Sequence, residues 1–320
     1  MKKIKTVILD GYTENPGDLN WSYLEDTCDL TVYERTSGEL IVERAKDAEI
    51  VILNKVPLSR ATIDMLPNLR FVALLSTGYN VVDCDYLRSK NIPVSNIPAY
   101  STQAVAQIVF SFLLHFSNRI ADYNDSVKNG DWVACPDFCY LKYPVFELSG
   151  KTLGIIGFGK IGSTVAKIAS TFGMNVIAFT PSGKKDGVDY ALFTSLDRVL
   201  KEADFLSLHC PLSDATNKLV NAEFIDKMKT RAYLINTSRG AVIDEHAVAL
   251  ALKSGKLAGF GADVLSTEPP LVTNPLLFSP NTVLTPHIAW AGYETRMRLL
   301  NMLNGNIEAY LNGTPRNVVN

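Results

Sequence analysis

A glycine cluster between an apolar run and an amphipathic segment constrains the fold of this chain more than any other feature. Gly157, Gly159 and Gly162 follow the apolar run at 153–156 with the spacing G-x-G-x-x-G, and apolar residues then recur at helical intervals. In this pattern the first glycine turns the chain out of a strand, the second lets a pyrophosphate approach the backbone, and the third allows close helix packing. The spacing therefore predicts a strand, a loop and a helix whose N-terminus binds a dinucleotide.

Composition narrows the classes of protein to consider. The chain has 320 residues, 47% of them hydrophobic, and a formal net charge of -2. It is long enough for two globular domains and lacks the basic excess that nucleic acid or an anionic membrane would require. Cys135 and Cys139 have no third ligand nearby, so we expect no metal site. The first apolar run stops at Asp10, too early for a signal peptide, and no stretch is long enough for a membrane span, so the expected location is cytoplasmic.

Predicted strands and helices alternate in two separate blocks. The first block fills residues 1–100, an apolar helix at 101–116 follows it, and an aromatic and proline-rich loop occupies 130–148. Alternation resumes at the glycine cluster, and a last helix at 293–311 is expected to return to the first block. We therefore predict an α/β protein of two domains with a deep cleft between them. The substrate-binding domain, smaller and flavodoxin-like, would comprise 1–100 plus 292–320; the dinucleotide-binding domain, 101–291, would be a Rossmann-type doubly wound parallel sheet.

Three chemically active side chains follow predicted strands of the second block. Arg239 comes after the strand at 232–236, Glu268 lies in the loop after the next strand, and His287 follows the last. Because ligands of open parallel sheets bind at the carboxyl ends of the strands, we expect these groups to meet at that edge. Taken singly, Arg239 could cap a surface turn, Glu268 could be an exposed loop acid, and His287 could be an ordinary buried histidine.

The chain resembles the D-2-hydroxyacid dehydrogenase family, most of all its hydroxypyruvate reductase or glycerate dehydrogenase members. The similarity lies in seven stretches, in family order: Leu75–Asp83, Asn96–Ala106, Leu153–Gly162, His209–Leu212, Asn236–Gly240, Asp263–Pro269 and Pro286–His287. The resemblance implies a homodimeric oxidoreductase that uses a nicotinamide cofactor to reduce a small 2-keto acid, with hydroxypyruvate or glyoxylate favoured, to the D-2-hydroxy acid.

The resemblance also implies a role for each residue of the site. Arg239 would hold the substrate carboxylate and carbonyl, His287 would exchange a proton with the carbonyl oxygen, and Glu268 would orient His287. The backbone at Ser76, Thr77 and Gly78 would bind the substrate carboxylate. The expected cofactor contacts are Gly157, Gly159, Lys160, Ile161, Gly162, Thr180, His209, Pro211, Thr216, Thr237 and Asp263. His209 is the weaker case, since the backbone of 208–211 would face the cofactor and the side chain could be structural.

The choice between NAD(H) and NADP(H) stays open at this level. Relatives that prefer NAD carry an acidic residue after the second strand of the dinucleotide half, where this chain has Thr180. Thr180, Ser182, Lys184 and Lys185 could bind a 2′-phosphate, or the lysines could belong to a solvated turn. The alternative function is a dinucleotide-responsive corepressor of the same fold, which would bind the cofactor without turning over a 2-keto acid.

Overall fold

The computed structural model describes residues 3–183 and 185–320, and the chain divides into two compact units. The first unit comprises Met1–Tyr100 with Ala291–Asn320, and the second comprises Ser101–Trp290. The two-domain α/β architecture expected from the sequence is confirmed.

The first unit is built on a five-stranded parallel sheet. Its strands are β1 (Ile4–Ile8), β2 (Cys28–Val32), β3 (Ile50–Leu53), β4 (Phe71–Leu74) and β5 (Val94–Ser95), in the order β2-β1-β3-β4-β5. Its helices are α1 (Ser22–Thr27), α2 (Ile41–Ala45), α3 (Arg60–Asp64), α4 (Cys84–Ser89) and, from the end of the chain, α11 (Tyr293–Leu311). This is the flavodoxin-like strand order. Every residue of β3 and β4 is buried, which explains why both read as continuous apolar runs without alternation.

Two acidic residues after β1 organise the loop that follows β3. The carboxylate of Asp10 accepts backbone N–H groups of Asn54, Lys55 and Val56 at 2.8, 2.6 and 3.0 Å. Glu14 is 0% exposed, and its Oε1 accepts a hydrogen bond from Asn54 Nδ2 at 2.5 Å. The carboxyl end of this sheet is therefore held by side chains rather than by further strand pairing.

The first turns of α11 are fastened to the same region. The Arg296 guanidinium donates to both carboxylate oxygens of Asp18, at 2.7 and 2.6 Å, and to the Glu14 carbonyl at 3.1 Å. Further along, Tyr310 stacks on Phe71 of β4 with ring centroids 4.3 Å apart. The expected return of the last helix to the first block is what the structure shows.

The second unit is a seven-stranded parallel sheet covered on both faces. Its strands are β6 (Thr152–Ile156), β7 (Asn175–Phe179), β8 (Leu192–Phe193), β9 (Phe205–Leu208), β10 (Ala232–Asn236), β11 (Leu257–Ala262) and β12 (Thr282–Leu284), in the order β12-β11-β10-β9-β6-β7-β8. Its helices are α5 (Thr102–Asn118), α6 (Ile120–Lys128), α7 (Lys160–Thr171), α8 (Leu196–Glu202), α9 (Ala222–Lys227) and α10 (Glu245–Ser254). One apolar core includes α8, α9 and α10, and the other includes α5 and α7. The doubly wound sheet is confirmed, and its strand order reverses direction at β6, directly before the glycine cluster.

Some local expectations were incomplete. The sequence predicts one helix at 101–116, whereas Arg119, with φ 54°, ends α5 and lets a second helix, α6, begin. The short strand β8 was not predicted, because two residues carry no periodic pattern. Among the described residues, no single helix has the length and apolar composition to cross a bilayer; only α5 and α6 taken together, bent by 53°, meet those two criteria.

The buried carboxyl of Glu14 gives a prediction about pH and stability. Desolvation raises the pKa of Glu14 from 4.5 to about 8, so the folded protein holds a proton that the unfolded chain loses between these pH values. The free energy of unfolding should therefore fall as pH rises through this window, by up to about 1.4 kcal/mol per pH unit from this group. Glu14→Gln removes the titrating group and should flatten the trend, measured as urea midpoints from pH 5 to pH 8.5.

Glu223→Gln is the matched control, because Lys227 lowers the pKa of this exposed carboxyl and it carries no buried proton. This control should follow the wild-type trend. Parallel pH trends for wild type and Glu14→Gln would contradict the assignment.

Candidate active site

The glycine loop of the second unit is closed at two of its glycines and open at the third. A Cβ at Gly157, whose φ is +92°, would lie 2.6 Å from the backbone of His209, and one at Gly162 would lie 2.2 Å from the Gly157 carbonyl oxygen. A Cβ at Gly159 would meet nothing within 4 Å. Helix α7 begins at the next residue, Lys160, and no side chain caps it. A glycine concavity at an uncapped helix N-terminus fits a pyrophosphate.

Two further expected cofactor residues follow β9, the strand beside β6. His209 Nε2 lies 2.9 Å from the Ser207 hydroxyl, and desolvation lowers the pKa of His209 to about 4, so the ring is neutral at neutral pH. Thr216 Oγ1 donates to the Pro211 carbonyl at 2.6 Å and closes the turn between them. The side chains of His209 and Thr216 thus form hydrogen bonds within their own segment. We therefore expect the backbone of this loop, rather than these side chains, to face the cofactor.

The turn after β7 carries the residues that bear on cofactor choice. Thr180 is half-buried and Ser182 is exposed, and their hydroxyl oxygens lie 3.2 Å apart. The Gly183 N–H donates to the Thr180 carbonyl at 3.0 Å and closes the turn. Lys185 is exposed, whereas the expectation placed on Lys184 lies outside the described residues.

An imidazole and a carboxylate form the centre of the candidate site. Glu268 follows β11, His287 follows the neighbouring strand β12, and His287 Nδ1 lies 2.6 Å from Glu268 Oε2. The other carboxylate oxygen of Glu268 accepts the Leu265 N–H at 3.1 Å, which fixes the carboxylate in place. His287 itself has φ 54°, an uncommon backbone conformation for a residue other than glycine. With Nδ1 bound to Glu268, the ring has Nε2 available for proton exchange.

Arg239 lies in a turn packed directly against the loop of Glu268. Asn236, the last residue of β10, donates from Nδ2 to the Arg239 carbonyl at 2.9 Å and so shapes the turn. A Cβ on Gly240 would lie 1.9 Å from the Leu265 carbonyl carbon, so the two backbones are in contact. The Arg239 side chain is exposed and donates from Nη1 to the Ser238 carbonyl at 2.8 Å. The structure therefore brings the loops of Arg239, Glu268 and His287 together on adjacent strands.

Asp263 is positioned beneath the histidine loop. It is 2% exposed, and its carboxylate accepts hydrogen bonds from Thr285 Oγ1 at 2.6 Å and from the Ile288 and Ala289 N–H groups at 2.8 Å each. Burial raises the pKa of Asp263, and these hydrogen bonds counter that effect. The carboxylate thus holds the loop of His287; its contact with the nicotinamide side of a cofactor stays a proposal.

One buried side-chain oxygen beside the candidate site has no partner in the protein. The Thr237 hydroxyl, which follows β10, is sealed from solvent and has no hydrogen-bond partner within the part of the chain that the structure describes. Buried hydroxyls are normally paired, and an unpaired one costs about 1–3 kcal/mol. A bound cofactor that reached this position would satisfy it.

The expected carboxylate-binding residues lie in the first unit, after β4. Their polar side chains and carbonyls are used internally: Ser76 Oγ donates to the Gly78 carbonyl at 2.7 Å, and Thr77 Oγ1 donates to the Ile97 carbonyl at 2.6 Å. Across residues 3–183 and 185–320, no hydrogen bond uses the backbone N–H groups of Ser76, Thr77 or Gly78. Three such N–H groups in succession can bind an anion.

Sequence reasoning missed the residues that support this site. Glu245, the first residue of α10, accepts hydrogen bonds from Ser266 N and Oγ at 2.8 and 2.7 Å and from Asn274 Nδ2 at 3.0 Å, and so fixes the loop on both sides of Glu268. The chain offered a helix start there but no indication of a partner 21 residues away. Among the described residues, no three His, Cys, Asp or Glu side chains cluster as a metal site would require.

A glycine cradle, a hydrogen-bonded imidazole and a neighbouring guanidinium lie at the carboxyl edge of a doubly wound sheet, as expected of a nicotinamide-dependent dehydrogenase. Residues 110–289 match the family model described as "D-isomer specific 2-hydroxyacid dehydrogenase, NAD binding domain". The chain belongs to the D-isomer specific 2-hydroxyacid dehydrogenase family, whose members are oxidoreductases acting on the CH–OH group of their donors.

Individual relatives agree with this family over nearly the whole chain. A hydroxypyruvate reductase of Blautia hydrogenotrophica is 44% identical over 99% of this chain and 100% of its own length. A glycerate dehydrogenase of Methylorubrum extorquens is 41% identical over 90% of each chain. The solved structure of an acyclic imino acid reductase, Bsp5, in complex with NADPH and D-Arg is 30% identical, with a TM-score of 0.86 over 98% of this chain and 100% of its own.

The two kinds of glycine in the loop should respond differently to alanine. Gly159→Ala should fold like the wild type, because its Cβ enters open space, but should weaken dinucleotide binding about 10-fold or more by obstructing the pyrophosphate. Gly162→Ala should lower both the melting temperature and the affinity, because its Cβ meets the Gly157 carbonyl. Cofactor titration by fluorescence and thermal unfolding measure the two effects.

Gly38→Ala, in the first unit, is a control with no atom within 4 Å of the new Cβ. It should leave affinity unchanged. Unaltered cofactor affinity in Gly159→Ala would show that the loop does not hold the pyrophosphate.

Proposed function

We propose that this protein reduces a small 2-keto acid, with hydroxypyruvate or glyoxylate favoured, to the D-2-hydroxy acid. The observation that carries this proposal is the 2.6 Å pair between Glu268 and His287, with the turn of Arg239 packed on the same loop. A carbonyl reduction needs a positioned proton donor and a cation for the substrate, and these residues are of the right kinds. The names of the two relatives, hydroxypyruvate reductase and glycerate dehydrogenase, support the choice of substrate.

In the proposed mechanism, His287 is the general acid for reduction and the general base for oxidation. The protonated ring donates from Nε2 to the substrate carbonyl oxygen, while Nδ1–H stays bound to the Glu268 carboxylate. The Glu268 carboxylate accepts the hydrogen bond from Nδ1–H and so keeps the ring in one orientation. The nicotinamide cofactor supplies the hydride when bound.

Substrate binding is assigned to the exposed guanidinium and to backbone donors. Arg239 would bind the substrate carboxylate and carbonyl through its planar fork, and the unused N–H groups of Ser76, Thr77 and Gly78 would bind the carboxylate as well. Asp263 and Thr237 would contact the cofactor, since one lies beneath the histidine loop and the other carries an unpaired buried hydroxyl. Lys160 and Ile161 would contribute N–H groups of the first turn of α7.

For the cofactor, we propose that NADPH is used at least as well as NADH. The turn after β7 presents the Thr180 and Ser182 hydroxyls 3.2 Å apart, and no carboxylate occupies position 180 to repel a 2′-phosphate. Lys185, which is exposed, adds a positive charge to this turn. The NADPH complex of Bsp5, a structural relative, is compatible with this choice.

We also propose a homodimer located in the cytoplasm. Val133, Phe138 and Leu141 are 91%, 89% and 83% exposed, while the ion pair of Lys142 with Asp131 holds their loop in place at 2.5 Å. Ordered apolar side chains of this kind favour a protein partner, and a second copy is the occupant that the family resemblance supports. All five cysteines are free thiols, which suits a reducing compartment.

Substitutions of the three catalytic residues test the proposed function. His287→Ala should lower kcat by about 100-fold or more, because the proton donor is lost. Glu268→Gln should lower kcat less, because the amide oxygen can still accept a hydrogen bond from Nδ1, and Arg239→Lys should chiefly raise KM by removing the bidentate fork. The measurement is steady-state reduction of hydroxypyruvate and glyoxylate with either reduced cofactor.

His246→Ala, on the exposed face of α10, is the matched control and should keep the wild-type rate. A wild-type protein that binds the dinucleotide but turns over no 2-keto acid would favour the corepressor-type alternative. A full rate in His287→Ala would remove the histidine from the mechanism.

Cofactor preference has its own test at position 180. Thr180→Asp should lower kcat/KM for NADPH about 10-fold or more relative to NADH, because a carboxylate repels the 2′-phosphate and binds the 2′-hydroxyl. Thr180→Ser, which keeps the hydroxyl, should keep the wild-type ratio. An NADPH-to-NADH ratio that does not respond to Thr180→Asp would place the 2′-position away from this turn.

A further inference from the structure

The carboxyl edge of the first unit's sheet places a second polar group beside the proposed carboxylate site. Strands β3 and β4 are neighbours, and the Leu75 N–H donates to the Leu53 carbonyl at 2.8 Å where both strands end. Asn54 is the first residue after β3, and the Ser76–Gly78 segment follows β4. Neighbouring strands lie about 4.8 Å apart, so a three-carbon acid held after β4 is long enough to reach the end of β3.

The amide of Asn54 is fixed in one orientation. The residue is 5% exposed, and Nδ2 donates to Glu14 Oε1 at 2.5 Å and to Thr13 Oγ1 at 3.3 Å. Both amide protons are therefore in use, and Oδ1 faces away from these partners. Within the described residues no donor reaches Oδ1, and this atom is not sealed from solvent. It is an accessible hydrogen-bond acceptor on a rigid support.

Burying the Glu14 carboxyl lowers the stability of the fold, which suggests that the orientation it gives to the Asn54 amide has a use. The carboxyl is 0% exposed, and desolvation is the largest cause of its raised pKa, so burying it opposes folding. Asp10 already holds the backbone of the same loop through three N–H groups. Thr13 Oγ1 donates to Glu14 Oε2 at 2.7 Å, and both residues contact Asn54 Nδ2. Their additional effect is to set which side of the Asn54 amide faces outward.

We propose that Asn54 Oδ1 accepts a hydrogen bond from a hydroxyl on carbon 3 of the substrate, with Glu14 as the positioning residue for the amide. The inference rests on the proposed reduction of small 2-keto acids and adds a specificity determinant to it. A substrate with a 3-hydroxyl satisfies the acceptor, whereas a methyl group at that carbon leaves it desolvated and unpaired. The site therefore selects hydroxypyruvate over pyruvate. Glyoxylate has no carbon 3 and therefore forms no hydrogen bond with Asn54.

The test compares kcat/KM for hydroxypyruvate, pyruvate and glyoxylate in the full-length protein with saturating NADPH. Asn54→Leu should lower the hydroxypyruvate-to-pyruvate ratio and the hydroxypyruvate-to-glyoxylate ratio by about 10- to 100-fold, the range expected for one lost hydrogen bond. Asn68→Leu, on the surface of the same unit, should keep both wild-type ratios. Ratios measured on one sample do not depend on the fraction of folded protein.

Glu14 variants separate positioning from packing. Glu14→Gln keeps an acceptor for Asn54 Nδ2 and should retain the wild-type ratios, whereas Glu14→Leu frees the amide and should lower them by less than Asn54→Leu does. Unchanged ratios in Asn54→Leu, with hydroxypyruvate turned over by the wild type, would overturn this inference alone. Equal ratios in Glu14→Gln and Glu14→Leu would overturn the positioning role. A wild type that reduces none of the three acids would overturn the proposed function and this inference with it.

Discussion

A carboxylate that follows one strand and accepts hydrogen bonds from the loop after the adjacent strand is the interaction on which both sheet edges depend. In the second unit, Asp263 follows β11 and binds the loop after β12 through two N–H groups and one hydroxyl. In the first unit, Asp10 follows β1 and binds three N–H groups of the loop after β3. A carboxylate suits this position because it accepts several hydrogen bonds at once, and each charge-assisted bond is stronger than a neutral one.

This support explains how side chains far apart in sequence can act at one place. His287 adopts a backbone conformation that non-glycine residues rarely take, and the N–H of His287 donates to the Asp263 carbonyl at 2.9 Å. Glu268 then fixes the imidazole, and Glu245 fixes the loop that carries Glu268. The residues of the candidate site are therefore positioned by Asp263 and Glu245, which hold the loops that carry His287 and Glu268.

Much of the fold could be predicted from the sequence, because alternating strands and helices and the glycine spacing are local signals. The three groups Arg239, Glu268 and His287 were also predictable, since each follows a strand of one parallel sheet. The supporting residues were not: Glu14 and Asn54 are 40 positions apart, and nothing in their local sequence indicates a pair. The break between α5 and α6 at Arg119 was missed as well, because arginine is an ordinary helix residue and its left-handed conformation depends on tertiary packing.

The contact between Gly240 and Leu265 limits how the site can be redesigned. Since a side chain at 240 would overlap the neighbouring backbone at 1.9 Å, the two loops can only change together. Directed evolution of substrate choice would thus find few tolerated variants around the guanidinium, although that residue is itself exposed. Libraries would be better placed in the loop after β3, because Asp10 holds the main chain there through backbone N–H groups.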